Sequence, residues 1–122
     1  PQARILGYAS AAREPEWFTL APISAISKLL ENLTLTVNEI DLFEVNEAFA
    51  VVPRTFMRGM GVDHEEVNVD GGHIALDHPL GATGVMILGT LLDALERQDK
   101  TTGLATLCIG GGMGIAMCLE RD

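Results

Sequence analysis

Residues 103–120, "GLATLCIGGGMGIAMCLE", constrain the fold more than any other stretch, because two apolar runs of strand length flank three consecutive glycines. Glycine accepts the backbone angles of a tight reversal, so the segment reads as an antiparallel hairpin closing the chain. A turn centred on Gly111 sets Cys108 opposite a residue near Gly114 and Cys118 opposite one near Leu104. The thiols are then out of register, and both are expected to stay reduced.

Upstream, strand and helix patterns alternate. "ARILGYAS" is apolar after Arg4 and has strand length, and "REPEW" follows as a loop. "PISAISKLLENL" carries Ile23, Ile26, Leu29 and Leu30 at near-helical spacing, with Pro22 suited to the first turn. Thr36 and Glu39 have capping-box spacing, and "DLFEV" is a short strand delivering Asn46 at its carboxyl end. Phe49, Val52, Phe56, Met57 and Met60 outline a helix over about 47–60 that Gly59 and Gly61 stop. Pro53 inside it predicts a later start or a kink, since a mid-helix proline costs about 3 kcal/mol. "EEVNVD" predicts a short strand, and "GVMILGTLLDALER" a helix with Asp93, Glu96 and Arg97 on its wet side. The order βαβαβαββ predicts an α/β class: a three-layer α/β/α domain around a mixed, mostly parallel five-stranded sheet with a closing antiparallel hairpin.

Length and charge narrow the possibilities. At 122 residues and 48% apolar content, with no repeat, residues 1–122 suit a single domain. Seventeen acidic against eight basic residues give a net charge of −9, a poor match for nucleic acid or an anionic membrane. No run of about 18 apolar residues appears and "PQARILGYAS" lacks signal-peptide character, so a cytoplasmic protein is expected. The start at Pro1, without Met, suggests a chain processed or excised from something longer.

Three stretches carry chemistry. "GGGMG" is no dinucleotide fingerprint, because a strand pattern follows it where that motif needs a helix. It does place backbone N–H groups at Ile109, Gly110 and Gly111 beside Cys108, the makings of an anion nest. His64, His73 and His78 with Asp70 and Asp77 match no zinc spacing, so no metal is expected. His78 in "LDHPLGATG" reads as a helix-entry residue, Pro79 taking the first helical position, or as an imidazole kept neutral by a helix amino terminus. Asn46 ends a strand, where open α/β sheets place ligands.

Together, "NEAFA" at 46–50, "NVDGGHIALDHPLGATG" at 68–84 and "CIGGGMG" at 108–114 resemble the carboxyl-terminal domain of thiolases, the acetyl-CoA acetyltransferase family. "ARILGYA" resembles that domain's first strand. Ketoacyl synthases are less similar, lacking the Cys-x-Gly-Gly-Gly ending of Cys108 and Gly110 to Gly112. The resemblance implies that Cys108 moves the α-carbon proton of an acyl-CoA, a task suited to a thiol near neutral pKa. It implies that His78 activates an acyl-accepting cysteine and, with a water held by Asn46, donates to a thioester oxygen. It implies further that the Gly110 N–H contributes to a second oxyanion hole around the acylated cysteine.

No cofactor is implied beyond coenzyme A thioesters as substrates. The acyl-accepting cysteine belongs to an amino-terminal domain without counterpart in this chain, so the chain alone is expected to be inactive and to expose an apolar face. Partners implied are that amino-terminal domain, acyl-CoA and CoA, and a further copy in a homo-oligomer. Three positions depart from the family's pattern: Asp77 replaces a usual Gly, His73 a small residue, and Asp70 an Asn or His. A side chain at 77 crowds the pocket and is expected to weaken catalysis, since a carboxylate beside an imidazole favours the charged ring. Those departures leave a non-catalytic interaction domain as the alternative.

Overall fold

The closing hairpin forms with the expected register. In the computed structural model, which describes residues 2–122, β3 (Thr102–Ile109) pairs antiparallel with β4 (Met113–Arg121). Cys108 stands opposite Gly114 and Cys118 opposite Leu104, and both thiols are free. β1 (Ala3–Ala12) lies antiparallel on the other side of β4, and β2 (Leu42–Val45) parallel to β3, giving the order β1-β4-β3-β2.

The sheet therefore has four strands rather than five, and one of its three strand pairings is parallel. Apolar runs mark strands but not their neighbours, and β1 joins the hairpin instead of β2. The expected fifth strand shrinks to a single parallel bridge between Val67 and Phe43. Asn68 ends it there: its φ of 49° turns the chain left-handed, and its side chain takes over the role of a neighbouring peptide. The Asn68 amide accepts from Val45 N at 2.7 Å and donates to Val45 O at 2.9 Å, satisfying the edge of β2.

Helices cover both faces of the sheet. On one, α1 (Ala21–Leu33) and α2 (Val51–Met60) close over Phe43, Val45, Leu104, Ala116 and Cys118. On the other, α4 (Thr83–Arg97) packs Ile87, Leu91, Ala94 and Leu95 against Leu42, Ala105 and Leu119. α2 starts later than its apolar pattern, which places Pro53 in the first turn, where its missing N–H breaks no intrahelical bond. Gly61, at φ 68°, caps it. The capping box forms as well, Thr36 and Glu39 closing a 3-10 turn at Val37–Glu39. "REPEW" runs into another such turn, Pro15–Leu20.

A buried acid sits on the α4 side of β2. Glu44 is 4% exposed, and burial pushes its carboxyl up to about 8, with Asp70 and Glu47 adding repulsion. The folded chain thus holds a proton that the unfolded chain, with Glu44 near 4.5, has released. Stability contributed by this group is complete below about 4.5, falls as pH rises to about 8, and is level beyond. Glu44→Gln is expected to flatten that decline; urea denaturation between pH 4.5 and 8.5 with identical slopes for both proteins would contradict it.

Candidate active site

The carboxyl ends of the two parallel strands bring Asn46 and Cys108 to one edge of the sheet. Asn46 N donates to Thr106 O at 2.9 Å, fixing the end of β2 against β3 two residues before Cys108. Cys108 is 8% exposed and belongs to the core cluster on the α1 side. Its partner Gly114 leaves room for the first turn of α1, since a Cβ there would lie 2.6 Å from the Ala21 carbonyl carbon. Burial pushes the Cys108 thiol up from its ordinary value, only partly offset by a backbone hydrogen bond. That direction favours the protonated thiol, whereas the resemblance led to the expectation of a near-neutral one.

Asn46 is 2% exposed and meets a residue that the sequence marked as a departure from the family's pattern. His73 Nδ1 lies 2.6 Å from Asn46 Oδ1. His73 opens a one-turn helix, α3 (His73–Leu76), in a stretch to which the sequence pattern assigned no element. Glu47 sets that turn in place: its Oε2 accepts from Ile74 N at 3.0 Å and its Oε1 from Asn68 Nδ2 at 3.2 Å. The same carboxylate explains Gly72, where a Cβ would fall 2.3 Å from the Glu47 carboxyl carbon. Sequence reasoning missed Glu47, although its place inside "NEAFA" beside Asn46 was the available signal. Burial holds His73 below the ordinary imidazole value, the neighbouring His78 adds to this, and Glu47 and Asp77 oppose it.

His78 is exposed and follows a backbone reversal at Asp77. Asp77 N closes α3 on His73 O at 2.9 Å, and Asp77 Oδ1 accepts from His78 N at 2.7 Å. That carboxylate is thus aimed at the backbone. α4 begins at Thr83, five residues after His78, so Pro79 does not take its first position. Gly81, at φ 83°, is incompatible with an earlier start. Pro79 O instead anchors the lead-in turn, accepting from Ala82 N and Thr83 N at 3.0 and 3.1 Å.

Thr83 carries the link between helix and imidazole. Its hydroxyl lies 3.1 Å from Pro79 O and 2.8 Å from His78 Nδ1. One hydroxyl proton cannot serve both, and a carbonyl only accepts, so Nδ1–H donates to Thr83 and Nε2 keeps its lone pair. Gly110 is exposed in the β3–β4 turn. The described residues show no hydrogen bond between His78 and Cys108; the link runs from the end of β3 through Asn46 to His73. Asp70 pairs with Arg97, tying the glycine-containing loop to α4.

Asp77 occupies φ 73°, ψ 171°, a region essentially reserved for glycine. Such a conformation costs about 1–3 kcal/mol, whereas the Asp77–His78 hydrogen bond returns about 0.5–1.5 kcal/mol. Asp77→Gly is expected to stabilise the protein by roughly 1 kcal/mol, while Asp77→Asn, which keeps both strain and bond, does not. Equal denaturation midpoints for the two variants would refute the assignment of strain.

Comparison with known proteins identifies the family and the fold. The family model "Thiolase, C-terminal domain" matches residues 1–121. The Paracoccus denitrificans acetyl-CoA acetyltransferase is 52% identical over 121 residues, which are 99% of this chain and 31% of that protein. The cytosolic acetyl-CoA acetyltransferase of Mus musculus is 50% identical over the same length, 99% of this chain and 30% of its own. The crystal structure of the Bacillus anthracis acetyl-CoA acetyltransferase superposes with a TM-score of 0.96 at 39% identity, covering 100% of this chain and 31% of that one. The chain spans about a third of the length of these relatives. With the sequence motifs, the three-layer architecture and the family match in agreement, the chain belongs to the thiolase family and corresponds to its carboxyl-terminal domain.

Proposed function

We propose that this domain is the acid/base half of an acetyl-CoA acetyltransferase, working on acyl-CoA and CoA with an amino-terminal thiolase domain that supplies the acyl-accepting cysteine. The observation that carries the reading is the placement of Asn46 and Cys108 at the adjoining carboxyl ends of β2 and β3, with Asn46 Nδ2 buried and unpartnered. A buried amide N–H without an acceptor costs about 1–3 kcal/mol, and a ligand oxygen or water removes that cost.

The free Nε2 of His78 takes the proton of the accepting cysteine, whose thiolate attacks the 3-oxo carbonyl of a 3-oxoacyl-CoA. Breaking the carbon–carbon bond leaves the acyl group on that cysteine and a carbanion on the departing acetyl-CoA. Cys108 gives its thiol proton to that carbon, and CoA then takes the acyl group. The reverse order condenses two acyl units, Cys108 as thiolate removing the α-proton. Negative charge on the thioester oxygen meets His78 Nε2–H, now protonated, and a water held by Asn46. Charge on the acyl-cysteine meets the Gly110 N–H. Fixed donors aimed at such developing charge typically contribute about 3–4 kcal/mol each in a dry site.

The exposed apolar residues support a larger assembly. Ile74, Leu76, Leu80 and Val85, which flank His78 in the sequence, are exposed, Leu80 at 88%. On the α4 side of the sheet, Ile5 and Tyr8 of β1 are also open. Large apolar side chains exposed in such number are commonly covered in working proteins, here by the amino-terminal domain and by further copies. No helix among the described residues is long and apolar enough to cross a membrane. The cytosolic designation of the mouse relative favours a cytoplasmic setting.

The test is a chimaera in which this domain replaces the corresponding segment of the Paracoccus denitrificans enzyme. It should convert acetoacetyl-CoA and CoA to acetyl-CoA, whereas the domain alone should not. A folded chimaera without turnover would refute the reading.

A further inference from the structure

We propose that His73 is a positioning residue for Asn46, fixing which end of the amide faces the reacting oxygen. The inference rests on the acyltransferase reading above. An amide oxygen only accepts, so the 2.6 Å contact to Asn46 Oδ1 makes His73 Nδ1 the donor. The contact occupies Oδ1 and leaves Nδ2 as the free end, buried and without a partner. A water bound there accepts from Nδ2–H, and accepting polarises it toward donating its own hydrogen to a thioester oxygen. An amide turned the other way would donate Nδ2–H to His73 and present Oδ1. A water held by Oδ1 would donate to it and lose that polarisation.

The ring is fixed well enough for this task. His73 is 7% exposed at the start of α3, whose position is set by the Glu47 carboxylate on Ile74 N. Burial and the neighbouring His78 favour its neutral form. A neutral imidazole carries a single N–H, and here Asn46 receives it. The bulk at 73, where the family's pattern has a small residue, is what makes the contact available.

The test compares two variants of similar bulk in the same chimaera. The Nδ2 of His73→Asn can donate from near the position of Nδ1, whereas His73→Leu fills the space without a donor. His73→Asn is expected to keep kcat within about threefold, and His73→Leu to lower it about tenfold or more with KM changed less than about twofold. In the Asn46→Ala background His73→Leu should add no further loss, because the two residues act as one unit. Equal kcat for the Asn and Leu variants, or a loss confined to KM, would overturn the inference. If Asn46→Ala itself leaves kcat unchanged, the acyltransferase reading of the site fails and His73 falls with it. If Asn46→Ala lowers kcat while His73→Leu does not, only the His73 inference fails.

Discussion

Cys108→Ala in the chimaera is expected to lower turnover of acetoacetyl-CoA by about 10²–10⁴-fold, the range that a positioned acid/base contributes. The thiol stands at the carboxyl end of β3, beside the strand end that holds Asn46. Burial raises it, so it begins the cleavage direction already carrying the proton that the departing carbanion needs. Neither alanine nor serine can replace it: one lacks a proton to give, and the hydroxyl of the other is too weak an acid to deliver it at neutral pH. Both substitutions remove little volume, so the fold should remain. Transfer of the acyl group from the 3-oxoacyl-CoA depends on proton delivery to carbon, and exchange of deuterium into the methyl group of acetyl-CoA isolates that step. A Cys108→Ala chimaera that retained more than about a tenth of the wild-type exchange rate would remove Cys108 from the mechanism.

How much of this was legible depends on which physical signal each residue sends. The hairpin register was readable because two apolar runs and three glycines leave one way to fold, and Cys108 opposite Gly114 follows from counting. The late start of α2 was readable from Pro53, whose missing N–H has few tolerable places. The fifth strand was misread because Val67 and Val69 have strand character, while the deciding fact is a side-chain amide that replaces a strand. Sequence periodicity carries no trace of such a substitution. The start of α4 was misplaced for a similar reason: Pro79 fits a helix start, but Gly81 takes a left-handed angle after it.

The site divides in the same way. Asn46, His78 and Cys108 were marked by motif, and the structure places Asn46 and Cys108 at one sheet edge. His73 and Asp77 stood out in the sequence as departures, and only Asp77 carried an expected effect, a crowded pocket and a more readily charged ring. Geometry separates them: His73 contacts the amide of Asn46, whereas Asp77 aims its carboxylate at a backbone N–H and carries an unfavourable backbone angle. Asp77 thus carries a conformational cost that its place in the sequence did not show.

Gly112→Ala is expected to be the most destabilising of the three alanine substitutions in the β3–β4 turn, by more than about 3 kcal/mol. Gly110 has an ordinary backbone angle and open space, so alanine there should change stability little. Gly111 has φ 84° but nothing nearer than 4.0 Å, which isolates the conformational cost of about 1–2 kcal/mol. Gly112 combines φ 86° with a Cβ position 2.2 Å from the Arg13 carbonyl oxygen, an overlap with backbone that no rotamer relieves. The chain following β1 would have to move away. That movement would break the 2.8 Å bond from Arg13 N to Gly112 O, which holds the turn beside the amino-terminal end of the 3-10 turn at Pro15–Leu20. The turn carries Gly110 and directly follows the strand end bearing Cys108, so turnover of the Gly112→Ala chimaera should fall along with its stability. Urea denaturation of the three variants decides the matter: a Gly112→Ala protein no less stable than Gly111→Ala would show that contact with Arg13 does not shape the turn.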